Sequence, residues 1–374
     1  MQRLFCLFTL IVITMTASAQ EYFLFTGTYT TGSSEGIYVF RFNAADGSAT
    51  PLDSARISQP SYLAVSHDGN FVYAVSETGG NTPGSISAFS FDKQSGKLTL
   101  LNTRTSFGDY PCYITVSPNR KWVIAGNYGS GNFVAYAINS DGSLSDNYQE
   151  IRHAGSGKDR SRQEGPHVHS TVFTPDNKFL LVSDLGLDRI MIYSFDESAK
   201  EKPLKAAKQS FAEAVPGSGP RHLSFHPNGR WLYLIEEMSG NVSSWQYKNG
   251  TLKRTNSIDA HAPGYKGDRG SADIHVSADG RFLYASNRYA ANDIAIFSID
   301  QKNGNLKYEG SQDVIGKKPR NFTLSPEGKY LLVANQETDD IRIFRKNPET
   351  GKLANTENII HVGNPVCLQL YPVR

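Results

Sequence analysis

Ser66-His67-Asp68-Gly69 is the first of six related four-residue turns that decide the fold of this 374-residue chain. The later copies, closed by a truncated seventh, are Ser117-Pro118-Asn119-Arg120, Thr174-Pro175-Asp176-Asn177, His226-Pro227-Asn228-Gly229, Ser277-Ala278-Asp279-Gly280, Ser325-Pro326-Glu327-Gly328 and Leu370-Tyr371-Pro372. The second turn residues are 67, 118, 175, 227, 278, 326 and 372, which gives intervals of 51, 57, 52, 51, 48 and 46 residues. A period near fifty predicts the four-stranded blades of a β-propeller.

The residues between the turns alternate apolar and polar with a period of two. Residues 71–75, 85–91 and 97–101 show this pattern, and Gly, Asp, Asn and Ser separate the runs. Such a pattern indicates strands joined by turns. Each unit therefore supplies an inner strand before the repeated turn, a second strand after it, and two outer strands.

The two ends of the chain complete each other. Residues 365–372 form an inner strand with no partners after it, whereas residues 22–26 form a second strand with no inner strand before it. Pairing them closes a ring and removes the open edge strand. We therefore predict an all-β, seven-bladed β-propeller over residues 20–374, closed by the C-terminal inner strand pairing with the N-terminal strands.

The first 19 residues differ in composition from the rest. Arg3 precedes an apolar stretch over residues 4–15, and Ala17-Ser18-Ala19 follows. This pattern predicts a cleavable secretory signal. A membrane anchor is the alternative, but the apolar stretch is shorter than the roughly 20 residues that span a bilayer. We expect a periplasmic or secreted protein that is not held in a membrane.

Charge and cysteine content limit the partners. The formal net charge is +2, which gives no case for nucleic acid binding. Outside the signal, Cys112 and Cys367 lie two blades apart, and a disulfide needs Cα atoms within about 7 Å. We expect two buried free thiols, a monomer, and a small molecule as the binding partner.

The chemistry is predicted at one mouth of the central channel, where inner strands begin and second strands end. His169, Arg221, Glu237 and Arg288 fall at such positions. Two guanidinium groups, an imidazole and a carboxylate are costly to desolvate at one concave site without a ligand or mutual pairing. A purely structural salt-bridge cluster is the alternative.

Other polar residues should surround this cluster. Inner-strand alternation predicts that His222, Asp273 and His275 face the channel. Two loops, residues 152–165 and 259–270, lead into inner strands, should overhang the mouth and are net basic. Together with Arg320 they suggest an anionic or oxygen-rich ligand, because guanidinium groups match carboxylate and phosphate.

A metal site is an alternative interpretation of the same region. His167 and His169 are two residues apart on a strand and share a face. Asp184, Glu237 and Asp273 are the carboxylates that could complete such a site. We predict no bound metal and no cofactor.

The chain resembles the seven-bladed propeller lactonases, a family that includes bacterial propeller-type 6-phosphogluconolactonases and fungal carboxymuconate cyclases. The resemblance covers nearly all of the mature chain and is carried by residues 162–169 (RQEGPHVH), 219–222 (GPRH), 236–238 (EEM), 272–275 (ADIH), 286–288 (SNR), 319–322 (PRNF) and 334–336 (ANQ). It implies opening or closing of a lactone ring, with His169, Arg221, Glu237 and Arg288 at the family's proposed active-site positions. The export signal sets this chain apart from cytoplasmic members that act on a phosphorylated sugar lactone, so the substrate is expected to be an unphosphorylated sugar lactone.

A mechanism follows as a hypothesis. Arg221 and Arg288 hold the lactone and its oxyanion, Glu237 activates water as general base, and His169 protonates the leaving ring oxygen. Because two arginines would lower the pKa of Glu237, it and His169 could exchange roles. The residues expected to bind substrate are Arg162, Gln163, His167, His222, Asp273, His275, Arg320, Asn335 and Gln336.

The sequence is also compatible with two other functions. One is a propeller that binds a carbohydrate or a protein without catalysis. The other is a calcium-assisted lactonase.

Overall fold

The computed structural model describes residues 20–373. The predicted secretory signal, residues 1–19, lies outside the described residues, so its interpretation stays a prediction. Within residues 20–373 the chain forms 28 strands in seven four-stranded antiparallel sheets, which are the seven blades of a β-propeller. No helix in this part of the chain is long and apolar enough to cross a membrane.

The blades are numbered from the one that holds both chain ends, and each is given from its inner strand outward. Blade 1 is β28 (Pro365–Pro372), β1 (Glu21–Thr28), β2 (Gly36–Asn43) and β3 (Ala49–Arg56). Blade 2 is β4 (Leu63–Val65), β5 (Phe71–Ser76), β6 (Ser85–Asp92) and β7 (Lys97–Thr105). Blade 3 is β8 (Pro111–Val116), β9 (Trp122–Asn127), β10 (Asn132–Ile138) and β11 (Leu144–Arg152).

The remaining four blades follow the same order. Blade 4 is β12 (Val168–Phe173), β13 (Phe179–Asp184), β14 (Arg189–Phe195) and β15 (Leu204–Glu213). Blade 5 is β16 (Pro220–Phe225), β17 (Trp231–Glu236), β18 (Asn241–Lys248) and β19 (Thr251–Asp259). Blade 6 is β20 (Ser271–Val276), β21 (Phe282–Asn287), β22 (Asp293–Ile299) and β23 (Leu306–Asp313). Blade 7 is β24 (Pro319–Leu324), β25 (Tyr330–Asn335), β26 (Asp340–Lys346) and β27 (Leu353–His361).

The chain ends close the ring as the sequence predicts. Strand β28 pairs antiparallel with β1, from Tyr22 opposite Pro372 to Thr28 opposite Pro365. The backbone N–H of Leu63, in blade 2, points to Cys367 Sγ at 3.3 Å, so blade 1 is also fixed to its neighbour. Cys112 and Cys367 are buried free thiols, which confirms the expectation from their positions.

The repeated turn owes its sequence to a short hydrogen-bond network. Ser66 Oγ accepts from the N–H of Phe71 at 3.0 Å and donates to Asp68 Oδ1 at 2.6 Å, while Gly69 takes a positive φ of 68°. In blade 5 His226 stands in the serine position, and its Nδ1 accepts from the N–H of Asn228 at 3.0 Å. In four other copies the side-chain hydroxyl at the serine position likewise accepts from the backbone N–H of the residue five positions later; these hydroxyls belong to Ser117, Thr174, Ser277 and Ser325.

The apolar core lies between neighbouring blades. Between blades 1 and 2, for example, the rings of Phe23 and Phe25 each meet Phe91 edge to face with centroids 4.8 Å apart. Alternation along each strand sends apolar side chains into these interfaces on both faces of a blade. The blades are therefore fixed against each other, and the inner strands surround a narrow axis.

A β-bulge lies at the start of most inner strands and was not predicted. In β8, β12, β16 and β24 one residue is inserted opposite the second strand: Cys112, His169, Arg221 and Arg320 respectively. A bulge re-aims the side chain of the inserted residue. Simple alternation therefore fails at the mouth, where the chemistry was predicted.

Ring closure supplies a stability test. A Cβ on Gly27 would lie 2.5 Å from the carbonyl oxygen of Pro60 and 3.1 Å from Cys367 Cβ. We expect Gly27→Ala to lower the free energy of unfolding by about 1–3 kcal/mol, as overpacking does. Urea denaturation measures this, with Gly165→Ala as the matched control because a Cβ there meets nothing within 4 Å. Equal stability of the two variants would contradict the closure geometry.

Candidate active site

The mouth is built from three layers of equivalent residues, one from each blade. The rim layer follows the second strands, and each of its backbone N–H groups donates to the loop before the inner strand of the same blade; its members are Tyr29, Glu77, Tyr128, Leu185, Glu237, Arg288 and Gln336. The bulge layer lies at the starts of the inner strands; its members are Ser61, Cys112, His169, Arg221, Ala272, Arg320 and Val366. The floor layer takes the next residue of each inner strand; its members are Tyr62, Tyr113, Ser170, His222, Asp273, Asn321 and Cys367.

Glu237 is the centre of one charged cluster. Its Oε2 accepts from Arg221 Nε at 3.0 Å and lies 3.0 Å from Arg288 Nη2 and 3.8 Å from His169 Nε2. Its Oε1 accepts from Arg162 Nη2 at 2.8 Å. The structure thus brings together all four residues predicted to be catalytic. The Glu237 side chain is only 10% exposed.

The arginines around Glu237 differ in how fully their donors are used. Arg221 also donates to the carbonyl of Ala272 and contacts His222 Nε2 at 3.3 Å. Arg288 Nε donates to the carbonyl of Gly270 at 2.8 Å. Its Nη2 is at ion-pair distance from Glu237 but makes no hydrogen bond with any described residue. Arg288 Nη2 is therefore a buried donor that its ion pair with Glu237 leaves without a hydrogen-bond acceptor among the described residues.

Charge and burial set the protonation states in this cluster. Burial alone would raise the pKa of Glu237, but Arg288 and Arg221 outweigh it and hold the pKa well below its usual value. Burial, reinforced by Arg221, lowers the pKa of His169 well below its usual value. At neutral pH Glu237 is therefore a carboxylate and His169 a neutral imidazole.

His169 has its two ring nitrogens in different surroundings. Nδ1 is 3.7 Å from Cys112 Sγ, and Nε2 faces Glu237 at 3.8 Å. The edge of the ring packs against Tyr128, with centroids 5.5 Å apart. Nε2 is therefore the ring nitrogen on the carboxylate side of the mouth, and the tautomer decides which of the two nitrogens carries the proton.

The floor layer closes the channel beneath these groups. Tyr62 and Tyr113 stack with centroids 4.2 Å apart, and both meet the ring of His222 edge to face at 5.9 and 5.2 Å. A separate cavity of about 500 Å³ lies toward the opposite end, lined by Tyr113, Thr115 and Phe173 among others. The mouth thus has an aromatic floor.

His222 and Asp273 form a hydrogen-bond chain between blades. His222 Nδ1 is 2.8 Å from Asp273 Oδ1, while Asn321 donates to Asp273 Oδ2. Because a guanidinium can only donate, the contact with Arg221 makes His222 Nε2 an acceptor and places its proton on Nδ1. His222 extends into the channel, where its ring meets Tyr62 and Tyr113 of blades 2 and 3. Both His222 and Asp273 are buried and position Arg221, and their contact with substrate stays a prediction.

The remaining predicted substrate residues are divided between the mouth and the loops. His275 is half-buried in the channel below Asp273 and lies 3.0 Å from its Oδ2. His167 stacks on Tyr128 with centroids 4.5 Å apart and donates to its carbonyl. Gln163 is fully buried and donates to the carbonyl of Leu185.

The other predicted positions lie on the rim or just behind it. Arg162 reaches Glu237 from the loop over residues 152–165, which confirms that this loop overhangs the mouth. Asn335 is buried and donates to Asp340 of its own blade and to the carbonyl of Val314, in the connection that follows blade 6. Gln336 belongs to the rim, and its Oε1 has no partner among residues 20–373.

A second charged cluster lies on blades 7, 1 and 2; it contains Arg320, which was predicted, and Tyr29 and Glu77, which were not. Tyr29 donates to Glu77 Oε2 at 2.9 Å, and Arg320 Nη2 is 3.9 Å from Glu77 Oε1. Arg320 also lies over the Tyr29 ring, 5.5 Å from its centroid. Aligning the residues that follow the second strands places Tyr29 and Glu77 at the same position as Glu237, but it does not show that Arg320 lies beside them.

Two other chemistries have little support in the described residues. Within residues 20–373 no group of three or more His, Cys, Asp or Glu side chains is arranged to hold a metal ion. One Gly-x-Ser-x-Gly sequence occurs, at residues 32–36, but it lies in the β1–β2 connection. Its Ser34 Oγ is hydrogen-bonded to Thr28 Oγ1 at 2.6 Å and is buried. A serine nucleophile needs an exposed strand-to-helix turn, which this segment is not.

Comparison with known proteins gives one consistent result. A family model described as "Lactonase, 7-bladed beta-propeller" matches residues 23–370. A Formosa agariphila protein named 6-phosphogluconolactonase is 37% identical over 351 residues, covering 93% of this chain and 99% of its own. A Bacillus subtilis protein of the same name is 32% identical over 352 residues, covering 93% and 98%. The solved structure of a periplasmic gluconolactonase from Pseudomonas aeruginosa matches with TM-score 0.89 and 37% identity, covering 95% of this chain and 100% of that one.

The buried histidines predict how stability depends on pH. Burial lowers the pKa of His169 well below its usual value and that of His222 to about 4. The folded protein keeps both neutral, whereas the unfolded chain takes up protons below about pH 6.5. We therefore expect the free energy of unfolding to fall by about 1 kcal/mol per pH unit for each histidine between about pH 6.5 and 4.5.

Urea denaturation at about pH 7, 6 and 5 measures this slope. His222→Gln should be less stable than the natural protein near neutrality but lose less on acidification. His275 does not affect this slope. Burial lowers the pKa of His275, but Asp273 raises it by more, so the contribution of His275 to the free energy of unfolding changes only above about pH 6.5. Stability that stays constant or rises toward pH 5 would contradict the neutral, buried state of both rings.

Proposed function

Because the chain belongs to the seven-bladed β-propeller lactonase family, we propose that it opens an unphosphorylated sugar lactone at the mouth of its central channel. The observation that carries the proposal is the Glu237 cluster: a neutral imidazole, a carboxylate and an arginine with a free buried donor above a closed floor. The sugar class is supported by the relatives named 6-phosphogluconolactonase and the periplasmic gluconolactonase of P. aeruginosa. The predicted export signal favours a lactone without phosphate.

We assign the general base to His169 and not to Glu237. Both carboxylate oxygens of Glu237 accept hydrogen bonds from arginines, so the atoms that would take a proton from water are already engaged. His169 is neutral and presents Nε2 toward the same space. The Glu237 carboxylate, 3.8 Å away, stabilises the imidazolium that forms when His169 accepts a proton.

Arg288 is assigned to the oxyanion. Lactone hydrolysis passes through a tetrahedral intermediate whose carbonyl oxygen becomes negative, and preorganised buried donors stabilise that charge. Arg288 Nη2 is such a donor. Arg221, whose donors are directed at Glu237, Ala272 and His222, keeps the cluster in place.

His169 alone can carry the proton that is transferred during hydrolysis. Water adds to the carbonyl carbon and gives one proton to His169 Nε2. The bond between that carbon and the ring oxygen then breaks, and the imidazolium returns the proton to the leaving oxygen as a hydroxyl. The product is the open hydroxy acid, which ionises in solution.

Hydrolysis of gluconolactone in a pH-stat tests the proposal. The natural protein should exceed the spontaneous rate, with and without a metal chelator. His169→Gln should lower kcat by at least about 100-fold, the usual effect of removing a general base. The matched control is His226→Gln, since His226 is equally buried but lies at the opposite end of its strand and binds the carbonyl of Gly280. Full activity in folded His169→Gln would overturn the assignment.

Arg288 gives a separate prediction. Arg288→Gln should lower kcat about 100-fold, because the developing oxyanion loses its donor, with a smaller change in KM. Arg288→Lys keeps the charge without the forked donors and should recover only part of the rate. Steady-state kinetics on gluconolactone measure both. A change confined to KM would assign Arg288 to substrate binding alone.

A further inference from the structure

The rim carries a second acid–arginine centre opposite the first. Glu77 and Glu237 occupy the same position in blades 2 and 5, after the second strand. Arg320 and Arg221 occupy the same bulge position in blades 7 and 5. The two centres therefore face each other across the mouth, and a ligand above the floor lies between them.

The second centre differs from the first in its unused hydrogen-bonding groups. Arg221 donates to Glu237 in a direct hydrogen bond, whereas Arg320 stays 3.9 Å from Glu77 and donates no side-chain hydrogen bond to any residue in the range 20–373. Glu77 Oε1 accepts none in that range, while its Oε2 is fixed by Tyr29. The side chains of Arg320 and Glu77 are 18% and 14% exposed. A guanidinium donor and a carboxylate acceptor are thus held side by side and open to the mouth.

This pair fits hydroxyl groups. A hydroxyl both donates and accepts, so one sugar hydroxyl, or two adjacent ones, can donate to Glu77 and accept from Arg320. Burial raises the pKa of Tyr29, so its hydroxyl stays protonated and keeps donating to Glu77 Oε2. The carboxylate is therefore held with Oε1 directed away from Tyr29.

The negative charge of the Glu77 carboxylate repels a phosphate group. A phosphate attracted to Arg320 would stand beside Glu77, whose charge offsets that of the guanidinium. Like charges placed together in a partly buried site cost enough to exclude a ligand. An uncharged hydroxyl meets no such repulsion.

We propose that Tyr29, Glu77 and Arg320 form a hydroxyl-binding subsite that selects an uncharged sugar lactone over its phosphorylated form. Glu77 is the specificity-determining residue. This inference rests on the proposed lactonase function, but it makes a claim about substrate choice that the rate of hydrolysis alone does not test.

The test compares gluconolactone with its 6-phosphate in the natural protein and in Glu77→Gln. We expect the ratio of kcat/KM for the phosphorylated over the unphosphorylated lactone to rise at least about tenfold in Glu77→Gln, because the repelling charge is removed while the shape is kept. Glu77→Asp retains the charge and should leave the ratio within about twofold of the natural value. Thermal unfolding of each variant confirms that it is folded.

The matched control is Glu213→Gln. Glu213 is loosely paired with Arg189 at 3.6 Å on the outermost strand of blade 4, so the variant changes net charge equally without touching the mouth. Its ratio should equal that of the natural protein. If the natural protein hydrolyses neither lactone, the proposed function fails. If it hydrolyses gluconolactone but Glu77→Gln leaves the ratio unchanged, the subsite assignment alone is overturned.

Discussion

The ion pairs of the buried Glu237 carboxylate are the interaction on which the rest of the site depends. A carboxylate taken out of water is costly unless it is paired and hydrogen-bonded. Here Arg221, Arg288 and Arg162 supply the pairing from two blades and one loop. The same charges keep Glu237 ionised and, with burial, keep His169 neutral. The arrangement thus determines the position of the loop over residues 152–165, the protonation states of Glu237 and His169, and the direction of Arg288 Nη2.

The propeller explains why such a cluster can form at one place. Seven equivalent residues follow the second strands and seven occupy the starts of the inner strands, so each layer brings one side chain per blade to the axis. Five of these fourteen positions hold charged residues, at Glu237 with Arg221 and Arg288, and at Glu77 with Arg320. The aromatic floor then separates the mouth from the opposite end of the channel.

The fold could be predicted because its signals are local and repeated. The Ser-x-Asp-Gly turn is a self-contained hydrogen-bond network, and the unpaired strands at the two chain ends can satisfy each other in only one way. The positions of the four central residues followed from the same repeat. Period-two alternation could not predict the bulges, which insert His169, Arg221 and Arg320 at the starts of their inner strands. Glu77 was missed because its importance depends on Arg320, 243 residues away in sequence (320 minus 77) and adjacent only in the closed ring.

We place the substrate between the two acid–arginine centres, above the floor of Tyr62, Tyr113 and His222. A crystal structure with gluconolactam, a ring analogue that resists hydrolysis, tests this most directly. We expect the carbonyl oxygen of the lactam within hydrogen-bond distance of Arg288 Nη2, and ring hydroxyls against Glu77 and Arg320. A ligand bound instead in the cavity at the opposite end of the channel, or at the mouth with its carbonyl away from Arg288, would contradict it.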